Sequence, residues 1–469
     1  MSSRAVVWFR RDLRVADHPA LLAALDAADE VVPVFVVDRA LLDGRPSGPN
    51  RRAFLHGALG SLADELGSRG GGLLVREGDP VQVVPALARR FAADAVWCSR
   101  DVTPYARRRD TAVGRALRAD GRRLHALPGS YLSDFDEVRT TGGDPFRIYS
   151  PFARAAKAAA WDDPVPAPGR VRVPEELGRP QLDGFDLDGA VELTPPDPAA
   201  ALERLAWFVA NRVDGYGRDR NFMATDGTSR LSPYLRFGLV SPRQVAAAVK
   251  APGTRGGGGR ETFVNELLWR DFCAYVLYHR PESAWRHMRP EFARFEFEDD
   301  PDGLATWREG RTGYPLVDAG MRQLTGQGWV HNRARLVVAS FLTKHLLIDW
   351  REGARFFLQH LMDGDLPSNN GGWQWVAGTG TDAAPYYRIF NPVTQAERFD
   401  PEGDYIRRWV PELAKLPAPA IFAPWQAATP ELEAAGVRLG TDYPSPVVDH
   451  RRARDRALSR FQEASARRR

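Results

Sequence analysis

Residues 5–130 alternate short apolar runs with amphipathic stretches. Segments 5–10, 31–38, 73–77, 95–99 and 122–127 read as strands, and 18–28, 51–69, 81–93 and 111–120 as helices. Alternation of this kind predicts an α/β domain, a doubly wound parallel sheet with right-handed crossovers. Ligands of such sheets sit beyond the carboxyl ends of the strands. There the chain places Arg10, Arg11, Asp12 and Arg14, then Asp38, then Arg100 and Asp101. No GxGxxG follows the first strand, which argues against a dinucleotide held by that fingerprint.

The pattern then changes twice. Residues 131–200 are rich in Pro, Gly and Asp without sustained periodicity, and read as a long linker. Beyond residue 198 the signal is helical, with 3.6-type apolar spacing in 199–212, 241–250, 261–279, 315–326, 332–347 and 351–362. Residues 252–260 read as a flexible loop, and 394–446 as looser, Pro-rich connections. Residues 449–469 form a basic amphipathic helix, expected to be a solvated terminal one. A chain of 469 residues that is 43% hydrophobic exceeds one core at ~150 residues per domain. The expected division is an α/β part over 1–130, a linker over 131–200 and an all-α part over 201–469.

Sixty-four Lys and Arg against 60 Asp and Glu leave a net charge of +4, which permits nucleic-acid binding without demanding it. Cys98 and Cys273 read as buried reduced thiols, and no metal-ligand spacing exists. The first residues lack a signal-peptide pattern and no apolar run spans a bilayer, so a cytoplasmic protein is expected.

Residues 350–391 gather unusual chemistry. Asp363 and Asp365 flank a turn-like Gly, Asn369, Asn370, Gly371 and Gly372 read as a polar loop, and Trp373, Trp375, Tyr386, Tyr387 and Phe390 follow. Asp-Gly-Asp alone suits a surface turn, and a Trp pair alone suits a core. Together they suit a large, planar, polar-edged ligand. Three upstream segments add to this. In DGTSRLSPYLRFG, Thr228, Ser229 and Arg230 precede a helical run, where hydroxyls and N–H groups bind phosphate or simply cap. Tyr216 and Arg220 lie one helical turn apart just before it. In 261–279, Glu266, Trp269 and Arg270 share a helix face and offer a stacking surface for an unstacked base. In GWVHNRARLVV, Asn332, Arg335 and Leu336 share a face, and Arg335 is expected to pair with Asp363 or Asp365. A flavin would use each of these groups, and so would a flipped-out nucleotide beside it.

The strings VVWFRRDLRVADHPAL, NELLWRDF, TGYPLVDAGMRQL and DGDLPSNNGGWQWVAGTGTDAAPYYRIFNP, with the two motifs above, resemble the photolyase/cryptochrome family over nearly the whole chain. Within it they resemble class I cyclobutane pyrimidine dimer photolyases. The resemblance implies an N-terminal α/β antenna domain and a C-terminal helical domain that holds FAD and binds DNA. It implies a light-driven reaction in which reduced FAD lends an electron to a flipped-out dimer, the ring splits and the electron returns.

Carried over, Tyr216, Arg220, Thr228, Ser229, Arg230, Leu231 and Ser232 contact FAD, as do Asn332, Arg335, Asp363, Asp365 and Asn369, with Asn369 at flavin N5. Glu266, Trp269, Arg270, Asn332, Leu336 and Trp375 meet the lesion or the DNA, with Glu266 stabilising the dimer radical anion. TPYARRRD resembles antenna sites for 8-hydroxy-5-deazaflavin, methenyltetrahydrofolate being the alternative. Arg10, Asp12, Arg51, Asp101, Tyr105, Arg109 and Arg236 are the antenna candidates. The partner is UV-damaged DNA with little sequence preference, and a monomer is expected.

Two positions depart from the family. Its photoreduction runs along three Trp, of which Trp373 and Trp350 are matched and the third is Phe297, with Trp307 or Tyr314 as possible substitutes. Leu336 stands where a Met usually touches the lesion. A blue-light receptor of the cryptochrome type is the competing reading; Glu266, Trp269 and an Asn at 369 favour the enzyme. Repair of the (6-4) photoproduct needs a His pair, and His331 is followed by Asn332.

Overall fold

The computed structural model describes residues 2–466 apart from 45, 160, 179–181, 183, 251–257, 290, 291, 294, 383 and 387. The predicted loop 252–260 therefore lies largely outside the described residues, and its end, 258–260, opens a helix. The chain divides into two compact units. The first comprises residues 1–217, 229–284 and 362–367, and the second 218–228, 285–361 and 368–469.

The first unit is built on a five-stranded parallel sheet. Its strands are β1 (Arg4–Phe9), β2 (Glu30–Val37), β3 (Leu74–Glu77), β4 (Ala95–Ser99) and β5 (Arg123–Leu127), in the order β3-β2-β1-β4-β5. The order reverses at β1, which is the doubly wound arrangement expected. Beyond their first residues, Arg4 and Glu30, β1 and β2 are apolar because helices cover both faces. Pro33 stands inside β2, where a missing N–H would break a ladder. It is tolerated because β3 pairs only from Val34 onward, so the sheet is still open on that side at Pro33.

Helix Pro104–Ala119 starts seven residues before the predicted 111–120. Its first turn is capped by Thr103 Oγ1 from Ala106 N–H at 3.3 Å, and carries Tyr105, Arg107 and Arg108. Apolar periodicity cannot register a polar first turn. The predicted linker contains a ten-residue helix, Tyr149–Ala158, which buries Phe152, Ala153 and Ala156. Pro-rich flanks hid a helix short enough to be judged by its neighbours. The unit also holds the helices Pro198–Asn211, Ser232–Phe237, Pro242–Lys250 and Gly258–His279. Gly238 ends the second of these at φ 71°, where a Cβ would lie 2.5 Å from Asp12 Cα and closer still to Arg11 O. Only Gly lets the RFG end of that motif lie against the turn after β1.

The second unit is helical: Pro301–Glu309, Pro315–Gln327, Asn332–Ser340, Trp350–His360, Pro392–Phe399, Asp404–Trp409, Thr429–Ala435 and His450–Ala466. Asn332–Ser340 continues as one π-helical turn, Phe341–His345. Its core collects Trp307, Phe341, Trp350, Phe357 and Trp373. The terminal helix is not merely a solvated one. Ala457 and Ala464 are buried in a cluster with Phe292, Phe295, Leu347 and Tyr386, so its small residues are a packing face.

The Asn-Asn-Gly-Gly stretch is a second correction to the local reading. It lies within a helix, Leu366–Ala377, and not in a loop. Pro367 fits the first turn, where its missing N–H costs nothing. The glycines disfavour a helix by ~1 kcal/mol each, but Trp373, Val376 and Ala377 are buried by it, at about 1.5–3 kcal/mol for a large side chain.

Candidate functional site

The residues singled out from the sequence fall in both units, and each unit positions its own set. In the first, Tyr216 is 8% exposed and meets Phe208 and Phe263 edge-on at 5.6 and 5.2 Å. The Ser229–Ser232 turn is held by Arg204 Nε donating to Ser229 O at 2.9 Å and Leu231 N–H donating to Ser229 Oγ at 3.3 Å. Arg230 adopts a left-handed φ of 52° within it, a conformation rare outside Gly.

Helix Gly258–His279 presents Glu266, Trp269 and Arg270, all half-buried. Tyr149 stacks on Trp269 with ring centroids 3.8 Å apart and planes 8° from parallel, and its hydroxyl donates to Asn265 O at 2.8 Å. Tyr149 is a residue the sequence reading missed, because it opens the helix hidden in the supposed linker. The signal was present in the spacing of Phe152, Ala153 and Ala156. Arg270 donates to Ser130 O at 2.8 Å and Leu235 O at 3.2 Å and lies over the Tyr131 ring at 4.6 Å. These bonds tie its guanidinium to the backbone around it. Beside it Asp271 is fully buried, accepts from Ser133 N–H at 2.9 Å, and has its pKa pushed up to about 7 by burial.

The Asp-Gly-Asp turn belongs to this unit. Asp365 is ion-paired with Arg11, and Arg236 Nε donates to Gly364 O at 2.8 Å. Of the antenna candidates, Asp12, Arg10 and Arg109 have partners within the fold. Asp12 is fully buried, 3.0 Å from His18 Nε2, and accepts Arg10 N–H at 2.7 Å. Arg10 and Arg109 both lie over the Trp8 ring at 4.7 Å and are both bonded to Asp110. Buried cations take partners wherever they can, and these took them inside the fold. Asp101 caps Thr103 N–H at 3.0 Å and Tyr105 donates to Asp38 Oδ2 at 2.6 Å. Arg51 and Arg236 are both pulled down by burial, to about 10 and about 9. An anion would relieve that cost.

In the second unit, Arg220, Thr228, Arg335 and Leu336 are half-buried and Asn332 is exposed at the first position of its helix. Arg335 Nε donates to Val330 O at 2.9 Å. Arg220 and Arg398 also act on Arg333, whose charge is disfavoured first by burial and then by these two cations. Arg333, Arg388 and Arg398 line a cavity of about 340 Å³ with Asn221, Phe390, Gln395 and Phe399, a lining with three guanidinium groups and no carboxylate.

Asn369 is 9% exposed and its Nδ2 donates twice, to Ala354 O at 3.1 Å and to Asn370 Oδ1 at 2.9 Å. Both amide hydrogens are therefore committed, and the carbonyl oxygen is the end that accepts. One turn on, a Cβ at exposed Gly372 would meet nothing within 4 Å. This arrangement fits a ring whose edge donates a hydrogen bond, as a reduced flavin does. Trp373 and Trp350 are buried and Trp375 is half-buried.

Comparison with known proteins gives these groups a common setting. Residues 5–169 match the family model described as DNA photolyase, and residues 263–463 the FAD binding domain of DNA photolyase. The chain belongs to the DNA photolyase family. It is 44% identical to the deoxyribodipyrimidine photo-lyase of Streptomyces griseus, over 97% of this chain and 98% of that one. It is 40% identical to the one from Agrobacterium fabrum, over 97% of each. Among solved structures, a class III photolyase from Agrobacterium tumefaciens superposes with a TM-score of 0.94 at 38% identity, covering 99% of this chain and 98% of that one. A Synechocystis cryptochrome follows at 0.90 and 32%, covering 97% and 99%. The photolyase fold accounts for both a parallel α/β sheet domain and a helical FAD-binding domain.

Proposed function

We propose that this chain is a light-driven DNA repair enzyme that splits cyclobutane pyrimidine dimers, with FAD held by its C-terminal domain. When bound and reduced, FAD supplies on illumination the electron that opens the cyclobutane ring and then returns. The observation that carries the reading is the locked amide of Asn369, which offers an oxygen and no N–H to its ligand. Such a group accepts a hydrogen bond from the N5 edge of a reduced isoalloxazine without adding charge. A carboxylate at this position would oppose the reduced state.

The same reading assigns roles to the other side chains. Tyr149 holds the Trp269 ring parallel to its own, giving a pre-oriented surface for a flipped-out pyrimidine, where stacking contributes ~1–3 kcal/mol. Glu266, one turn away on the same helix and half-buried, stabilises charge developing on the dimer as a preorganised hydrogen-bonding group. Asn332, Leu336 and Trp375 complete the lesion contacts. Tyr216, Arg220, Thr228 and Ser229–Ser232 contact the cofactor, the hydroxyls serving its phosphates, and Asn332, Arg335, Asp363 and Asp365 contact its isoalloxazine and ribose side. The arginine-lined cavity of Arg333, Arg388 and Arg398 receives backbone phosphate, independent of sequence. Glu266, Trp269 and the Asn at 369 favour the enzyme over a cryptochrome-type receptor.

The finer reading is a class I, monomeric, cytoplasmic enzyme with an antenna over residues 1–130. Arg51 and, from beyond that range, Arg236, cations disfavoured by burial, support an anionic chromophore, and 8-hydroxy-5-deazaflavin with its acidic hydroxyl suits them, beside Asp101 and Tyr105. An archaeal photolyase from Sulfolobus tokodaii, with a TM-score of 0.86 and 31% identity, is described with two FAD molecules. Mass spectrometry of the released chromophores separates deazaflavin from a folate or a second FAD.

The deciding experiment is repair of UV-irradiated oligothymidine by the chemically reduced protein, followed as recovery of thymine absorbance. Recovery in blue light and none in darkness is expected. No recovery in light, with reduced FAD bound, would overturn the proposal.

A further inference from the structure

We infer that Trp285 is the outer end of the route by which this protein draws electrons to its flavin, in place of Phe297. The inference rests on the FAD reading above and assigns a residue that the motifs do not mark.

The second unit supplies the geometry. The six-membered ring of Trp373 rests on Gly353, where an added Cβ would lie 2.5 Å from its Cζ3. Gly353 is three residues along one helix from Trp350, and so on the same face. Trp350 is fully buried. Its indole faces that of Trp285, with centroids 6.4 Å apart and planes 9° from parallel. Trp285 is only half-buried, so Trp373, Trp350 and Trp285 lead from the core to water.

The alternatives are less suited. Phe297 stacks on His287 at 5.8 Å and meets Phe295 at a tilt at 4.8 Å, and a phenyl ring is much harder to oxidise than an indole. Trp307 meets Trp373 edge-on at 6.1 Å, but it is fully buried and its N–H donates to Val338 O at 3.0 Å. An electron hole there has no water to receive its proton. Tyr314 is 2% exposed, with its hydroxyl donated to Val448 O at 2.8 Å.

The charges around Trp285 are balanced. Arg355 lies 5.5 Å from its ring centre and is paired with Glu352 at 2.5 Å. Arg351 donates to Trp285 O at 2.8 Å and is paired with Asp349 at 2.7 Å. Trp350 Nε1–H donates to His287 Nδ1 at 3.2 Å, and burial, then Arg351, pulls the His287 pKa down to about 4. The imidazole is thus neutral and accepts that hydrogen bond.

The electron count closes as follows. One electron passes from Trp373 to the light-excited oxidised flavin, Trp350 refills Trp373, and Trp285 refills Trp350. The Trp285 indole, one electron short, gives its Nε1 proton to water. A thiol in solution then returns one electron and one proton to it and is itself oxidised.

The test is flash photolysis of the oxidised holoprotein, reading the absorbance and paramagnetic resonance of the long-lived tryptophan radical. It is run on wild type, W285F, W307F and W285F/F297W. W285F should lose the long-lived radical and slow thiol-dependent photoreduction by an order of magnitude. W307F should keep both, and the double variant should regain them. An unchanged radical in W285F, or its loss in W307F, would overturn the inference. Should W285F fail to retain flavin, wild type illuminated in air and mapped by mass spectrometry decides: oxidation at Trp285 supports the route, and oxidation at Trp307 or none at Trp285 refutes it. Repair by chemically reduced wild type bypasses this route, so its failure would count against the proposed function instead.

Discussion

Gly353→Ala isolates one atom. Gly353 is buried on helix Trp350–His360, and the added Cβ would stand 2.5 Å from Trp373 Cζ3, closer still to Cη2, and 2.7 Å from Leu342 Cδ2. Carbon atoms pack at about 3.5–4.0 Å, so the indole or the helix must move by more than 1 Å, roughly, in a core with no slack. Overpacking of this kind costs ~1–3 kcal/mol. The gain of Ala over Gly in a helix offsets ~1 kcal/mol. A net loss of up to about 2 kcal/mol remains, or up to about 8 °C in Tm for a unit of this size. Urea unfolding of the flavin-free protein reads it. The double variant G353A/W373F removes the ring atoms that clash, so the two substitutions should couple favourably by ~1 kcal/mol or more. Gly372→Ala is the control, since its Cβ meets nothing within 4 Å, and it should stabilise by up to ~1 kcal/mol. Additivity of G353A with W373F within about 0.3–0.5 kcal/mol would refute the contact between Gly353 and Trp373.

Three further outcomes follow from the same structure. Asn369→Asp removes the donors to Ala354 O and Asn370 Oδ1; it should cost ~1–3 kcal/mol on unfolding and make the bound flavin harder to reduce in a redox titration. Asp271 has a folded pKa of about 7, above its unfolded value, so its contribution is complete below about pH 4 and lost as pH rises through 7. Asp271→Asn keeps an oxygen for Ser133 N–H and should gain on wild type by up to about 4 kcal/mol between pH 5 and 8; a pH-independent difference in unfolding curves would contradict this. Affinity for a UV-damaged oligonucleotide should fall linearly with log salt, and Arg333→Gln should lower that slope by about one.

Much of this protein is legible locally. The five strands lie within a residue of their predicted bounds because the apolar runs of a buried parallel sheet announce themselves. The errors share one cause, a local signal set against a non-local one. The helix at 149–158 was hidden by prolines around it, and its reward is the packing of Phe152 against Phe272 at 5.3 Å, more than a hundred residues away. Asn369–Gly372 carries loop propensities, yet it is helical because Trp373 and Val376 beyond it are buried. Propensities amount to about 1 kcal/mol per residue, and burial exceeds them.

The chemistry divides the same way. Residue identity alone determined that this chain has amides, carboxylates, guanidinium groups and indoles in the patterns of a flavin- and DNA-binding protein, since those patterns are written in consecutive residues. It could not tell which of those groups already have partners in the fold. Arg10, Asp12, Arg109 and Arg270 have the right chemistry for a ligand, and the fold uses them on Asp110, His18 and backbone carbonyls. Nor could it find Tyr149 under Trp269 or Trp285 against Trp350, pairs 120 and 65 residues apart in the chain. Hydrogen-bond satisfaction and ring stacking are relations between distant residues, and only the folded chain brings those residues within reach of each other.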